Sequence, residues 1–131
     1  FETLQSHGLD QSSVQRNAIS TEDAGSEAVK SLLQSGELPQ AIVCASDLIA
    51  MGVLRALRQA KVNVPDDVAV VGYDNIAVSA YTTPSLTTVQ QNTKLAGELL
   101  VNTLLKAINN EDVQDYLMPA DIIIRQSCGS E

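Results

Sequence analysis

Short continuous apolar runs alternate with amphipathic stretches along this chain. In "STEDAGSEAVKSLLQSG", Ala28, Val29, Leu32 and Leu33 form one apolar stripe at helical spacing. Ser20 or Thr21 can cap its start, Glu22 and Asp23 complement the positive end of the helix dipole, and Gly36 stops it. Pro39 introduces "AIVCA", which predicts a short buried strand. "SDLIAMGVLRALRQAKV" predicts the clearest helix. Ser46 or Asp47 stands at its cap, and Leu48, Ile49, Met51, Val53, Leu54 and Leu57 make it apolar over a wide arc. "NVPDD" reads as a turn and "VAVVGY" as the next buried strand. "NIAVSAYTTPS" reads as a loop with one helical turn, closed by Pro84, and "LTTVQQ" as extended. "TKLAGELLVNTLLKAINNED" predicts a long helix near 93–110, apolar at 95, 96, 99, 100, 101, 104, 105 and 108. "YLMPADIIIRQSC" predicts a final strand at Ile122 to Ile124. Ahead of all these, "FETLQSHG" reads as the end of a helix stopping at Gly8, and "SVQRNAI" as a first strand.

Repeated strand–helix units with continuous apolar strands predict an α/β fold, a parallel sheet with helices on both faces. In such sheets ligands sit beyond the carboxyl ends of the strands. The stretch "VAVVGYDN" therefore matters: a core strand delivers a carboxylate, Asp74, at its tip. Ser46 and Asp47 follow another strand, and both tips are expected on one edge, facing a common cleft.

Composition narrows the function. The 131 residues are enough for one domain with a real core, and 44% hydrophobic with 18% charged is ordinary for a globular chain. The net charge is −8 and the eight basic residues are scattered, so the chain itself is not expected to bind nucleic acid or an anionic membrane surface. No apolar run approaches the ~20 residues of a membrane span. Cys44 lies in an apolar run and has no close-spaced partner in Cys128, which fits a reduced, cytoplasmic setting. Three Tyr, one Phe and no Trp leave few rings for stacking on a ligand.

Catalytic chemistry is missing. Neither phosphate-cradling glycine pattern occurs, the single His7 has no partner for a metal or a triad, and the pair Asp66/Asp67 belongs to a turn. No catalytic residue, metal ligand or cofactor is expected.

The strand–cap–helix "CASDLIAMGVLRAL", the turn–strand "VPDDVAVVGYDNI" and "TPSLTTVQQ", in that order and spacing, resemble the effector-binding domain of LacI/GalR-type bacterial transcriptional regulators. The resemblance runs from about Phe1 to Ser127. It implies the periplasmic-binding-protein-like fold of type I, with a small ligand between two lobes, and a chain that holds only part of it. Residues 1–89 and 120–127 would form the C-terminal lobe. Residues 90–119 would be a crossover segment belonging to an N-terminal lobe that is otherwise missing.

By the same resemblance, Asp74 would accept hydrogen bonds from the ligand. Ser46 stands where the family often has Asn, and Asp47 matches a common Asp read mainly as a helix cap. Ser20 and Thr93 stand at positions that are often aromatic, so the pocket would be less aromatic than is usual. Met51, Leu54, Ala80 and Tyr81 would fall at a subunit interface in a homodimer, with ordinary core burial as the alternative. The implied function is the effector-sensing and dimerisation portion of a cytoplasmic repressor. It would take a small molecule, most simply a carbohydrate, and act on DNA only through a separate helix-turn-helix absent from this chain. The competing reading is a periplasmic sugar-binding protein of a transport system. The helix near 93–110 would have an apolar face shaped for the absent lobe, and is expected to dock on its own lobe or to swap with a second copy.

Overall fold

A computed structural model describes residues 6–8 and 19–130. Residues 1–5 and most of the strand expected at "SVQRNAI" lie outside the described residues. The elements run α1 (Glu22–Ser35), β1 (Ala41–Val43), α2 (Asp47–Gln59), β2 (Ala69–Tyr73), a 3-10 turn (Ala77–Tyr81), β3 (Thr87–Gln91), α3 (Thr93–Ile108), β4 (Ala120–Ile123) and a second 3-10 turn (Gln126–Cys128).

Local chemistry sets the boundaries. Thr21, extended at φ −132°, accepts from the Ala24 amide at 3.2 Å and starts α1. Gly36 at φ +73° ends it in the left-handed region, where glycine carries no Cβ penalty. Ser46 starts α2, its hydroxyl accepting from the Ile49 amide. Asn92 starts α3 by accepting from the Leu95 amide at 3.0 Å. Of the alternatives left open by the sequence, Thr21 and Ser46 are the caps, and Asp47 is the first helical residue instead.

The sheet order is β1-β2-β3-β4, with β1, β2 and β3 parallel. β4 returns antiparallel to β3, pairing Ile122 with Val89 and Ile123 with Thr88. Cys44, Ala50, Val53, Leu57, Val68, Val70 and Leu86 bury their side chains together with Val29. This aliphatic core lies between β2 and the layer formed by α1 and α2. The two helices cross so closely that a Cβ on Gly52 would land on the Glu22 carbonyl, and one on Gly25 on the Ile49 carbonyl. The Ser26 hydroxyl donates to the Gly52 carbonyl at 3.0 Å across the same crossing. Among the described residues both core helices lie on one face. The opposite face bares Val43, 80% exposed, and Ile122, 66% exposed.

α3 behaves differently from the rest. None of its residues is buried. Leu100, Val101, Leu104, Leu105 and Ile108 are all more than half exposed. The expected docking of this helix on its own lobe is not realised: its apolar residues meet too little of the described structure to leave water. A cavity of about 540 Å³ lies between its C-terminal half and residues 111–116.

Candidate functional site at the strand tips

Because β1, β2 and β3 run parallel, their carboxyl ends share one edge. Ser46 and Asp47 follow β1, Asp74 and Asn75 follow β2, and Thr93 opens α3 just past β3. Ser20 joins them through a 2.8 Å hydroxyl–hydroxyl hydrogen bond with Ser46. The residues singled out from the sequence therefore collect at this edge, although the chain separates them by more than seventy positions.

Their environments differ. Asp74, Ser20 and Thr93 are exposed, while Ser46 is buried beneath Ser20. Asp74 is held by its amide, which donates to the Val89 carbonyl at 2.9 Å, and Gln91 Nε2 lies 3.5 Å from its Oδ1. Asp74 and Asn75 have φ of +103° and +48°, a left-handed pair without glycine. Such backbone costs on the order of 1–3 kcal/mol per residue and persists only where the surroundings over-determine it.

Three side chains do the determining. Asp47 is fully buried. Its Oδ1 accepts from the Thr88 hydroxyl at 2.6 Å and its Oδ2 from the Ile76 amide at 2.9 Å. This corrects its expected placement among the ligand-contacting residues: both oxygens are committed inside the protein, and Asp47 positions the loop that carries Asp74. Gly72 makes room for it, since a Cβ there would meet Asp47 Oδ1. Thr88 uses its hydroxyl twice, donating to Asp47 and accepting from the Asn75 amide at 3.2 Å. Arg125, just past β4, donates from Nη2 to Asn75 Oδ1 at 2.7 Å and from Nη1 to Ser79 Oγ at 3.0 Å and the Leu86 carbonyl at 2.6 Å.

Sequence reasoning missed Thr88 and Arg125. Thr88 reads as β-branched filler in a strand, and Arg125 as a solvated charge, until β4 folds back beside β3. Burial pushes the Cys44 thiol up to about 12, and the charge of neighbouring Asp47 adds to it. That thiol stays protonated and inert.

The interface candidates divide. Tyr81, 84% exposed, and Ala80 present themselves on the 3-10 turn, and Met51 is half-buried. Leu54 is core, 6% exposed and packed with Val53 and Leu57, so it has almost no surface to offer a partner. Among the described residues, no three of His, Cys, Asp and Glu converge as metal ligands, and no helix is long and apolar enough to cross a membrane. The edge presents the hydroxyls of Ser20 and Thr93 and the exposed carboxylate of Asp74.

The periplasmic binding protein-like domain family model matches residues 1–128. The chain is 38% identical over 122 residues to the HTH-type transcriptional repressor PurR of Haemophilus influenzae, covering 89% of this chain and 36% of that protein. It is 39% identical over 104 residues to the ribose operon repressor of Escherichia coli, covering 79% and 32%. Among solved structures it superposes on the transcriptional regulator CelR in complex with cellobiose with a TM-score of 0.85 at 32% identity, covering 96% of this chain and 39% of that one. The Lac repressor dimer bound to operator and an anti-inducer gives a TM-score of 0.88 at 27% identity, covering 97% and 44%. The chain thus spans about a third of the length of these curated relatives. It belongs to the periplasmic binding protein-like domain family, and these relatives and structural neighbours are LacI-type proteins.

Proposed function

We propose that this chain is part of the effector-sensing and dimerisation region of a bacterial LacI/GalR-type repressor. A small polyhydroxylated molecule, in the first instance a carbohydrate, sits against the strand-tip edge, and Asp74 accepts its hydrogen bonds. Ser20 and Thr93 contribute hydroxyls in place of rings, and Ser46 supports Ser20. The observation that carries this reading is the gathering of Ser20, Ser46 and exposed Asp74 on one sheet edge, with the Ser20–Ser46 bond at 2.8 Å.

Residues 1–89 and 120–127 form the C-terminal lobe, and residues 90–119 belong with a second lobe that closes the cleft. The bare apolar side of α3 supports that division, because a helix with no buried residue has its partner elsewhere. Ligand binding then shifts the populations of two lobe orientations, by no more than its differential affinity for them. A homodimer using Tyr81, Ala80 and Met51 passes the change to DNA-binding heads on a separate domain, in the cytoplasm. A transport-type sugar-binding protein shares the fold. The repressors among the relatives favour the regulator.

The test is calorimetric titration of D-ribose, cellobiose and adenosine into the full-length parent and its Asp74→Asn variant. A hydrogen bond to a charged group is worth about 1.5–3 kcal/mol, so the variant should bind about 10- to 100-fold more weakly, with unliganded stability unchanged. Equal affinity of the two proteins for whichever compound binds would remove Asp74 from the site.

A further inference from the structure

We propose that Arg125 is the positioning residue that holds the Asp74–Asn75 turn in its ligand-receiving shape and ties that turn to the strand returning from the crossover segment. The proposal rests on the reading of the strand tips as the effector edge. Arg125 touches no group that faces the cleft, yet its guanidinium fixes three separate elements. Nη2 donates to Asn75 Oδ1 at 2.7 Å, in the turn after β2. Nη1 donates to Ser79 Oγ at 3.0 Å, in the 3-10 turn that carries Ala80 and Tyr81, and to the Leu86 carbonyl at 2.6 Å, at the foot of β3.

The arginine is itself clamped. Its amide donates to Thr87 Oγ1 at 2.8 Å, and its carbonyl accepts from the same hydroxyl at 3.1 Å. The neighbouring Ser127 hydroxyl donates to the Val70 carbonyl at 2.6 Å. The Asn75 amide is thereby fixed at both ends, with Oδ1 on Arg125 and Nδ2 donating to Gln90 Oε1 at 2.8 Å.

Asn75 needs that grip. Its φ is +48° and that of Asp74 is +103°. Non-glycine residues leave such conformations once the contacts that determine them are removed. Freeing Asn75 lets Asp74 relax and its carboxylate swing away from the edge. Arg125 follows β4, so any shift of the crossover segment that displaces β4 also pulls on this turn. A planar guanidinium reaches three acceptors in fixed directions, whereas an ammonium is a single point donor and cannot reproduce the set.

The experiment is hydrogen–deuterium exchange on the full-length parent, comparing wild type with Arg125→Ala, Arg125→Lys and Asn75→Ala. We expect amides 74–79 to exchange at least tenfold faster in Arg125→Ala and Asn75→Ala, with incomplete rescue in Arg125→Lys. Amides 50–57 of α2 should be unchanged, which a general loss of stability would not allow. Unchanged exchange at 74–79 in Arg125→Lys and Asn75→Ala, both mild enough to fold, overturns the assignment. So does acceleration spread equally through 50–57. D-ribose, cellobiose and adenosine are titrated into the same proteins, and wherever one binds wild type, Arg125→Ala should weaken it at least tenfold. If none binds wild type, the effector reading fails, while the exchange comparison still decides whether Arg125 holds the turn.

Discussion

Replacing Asp47 by Ala tests how the buried carboxylate supports the site. Asp47 and Thr88 are both fully buried, and the carboxylate accepts from the Thr88 hydroxyl at 2.6 Å and the Ile76 amide at 2.9 Å. Alanine removes both acceptors at once. A donor left without a partner away from water costs about 1–3 kcal/mol, so the two together should cost about 2–6 kcal/mol of unfolding free energy. Most single-domain proteins have only about 5–15 kcal/mol in total, so the effect is large. Asp47→Asn should cost about half as much, because an amide oxygen can still take the Thr88 hydroxyl while its NH2 opposes the Ile76 N–H. Thr88→Val removes the other half of the shorter bond, and the double variant Asp47→Ala/Thr88→Val should cost at least about 1 kcal/mol less than the sum of the singles. The assay is urea unfolding followed by far-ultraviolet circular dichroism at pH 7. Asp47→Ala within about 0.5 kcal/mol of wild type, or strict additivity in the cycle, would refute the role given to this carboxylate.

Three further outcomes follow from the packing. Gly52→Ala should destabilise by about 3 kcal/mol or more, because the new methyl meets the Glu22 backbone carbonyl and neither helix can yield cheaply; urea unfolding reads it. The Cys44 thiol is raised in the fold from 9.0 to about 12, so its contribution is intact below about pH 9 and is lost as pH rises toward 12. At about 1.4 kcal/mol per unit, the loss approaches about 4 kcal/mol at the alkaline limit, and a Cys44→Ala variant should show a flatter decline of stability between pH 9 and 11. Leu100→Ser with Leu104→Ser in α3 should leave the unfolding free energy of the chain within about 0.5 kcal/mol, since these side chains are 71% and 59% exposed. Analytical ultracentrifugation should show wild type self-associating through this helix and the double variant monomeric.

Much of this architecture was legible in the chain. Continuous apolar runs marked β1 and β2, the capping residues marked the starts of α1 and α2 to within a residue, and helical spacing of apolar positions marked α3. The common edge followed from parallel strands alone, so Asp74 and Ser46 could be placed together before any coordinates. What stayed hidden depends on contacts between distant segments. Asp47 looks like a capping or ligand-facing carboxylate in sequence, and only the approach of Thr88 and the Ile76 amide shows that it is spent internally. Leu54 has the same helical spacing whether it faces a core or a partner, and its burial decided between them. The long helix illustrates the converse. Its apolar pattern called for burial, and the described chain supplies no surface to provide it.

Whether a small molecule lies against the tips of β1 and β2 decides the function of this edge. A crystal structure of the full-length parent grown with whichever of D-ribose, cellobiose and adenosine binds most tightly measures this directly. We predict ligand density within hydrogen-bonding distance of the Asp74 carboxylate and beside Ser20 and Ser46. Density confined to another part of the protein, with Asp74 facing only water, would contradict it.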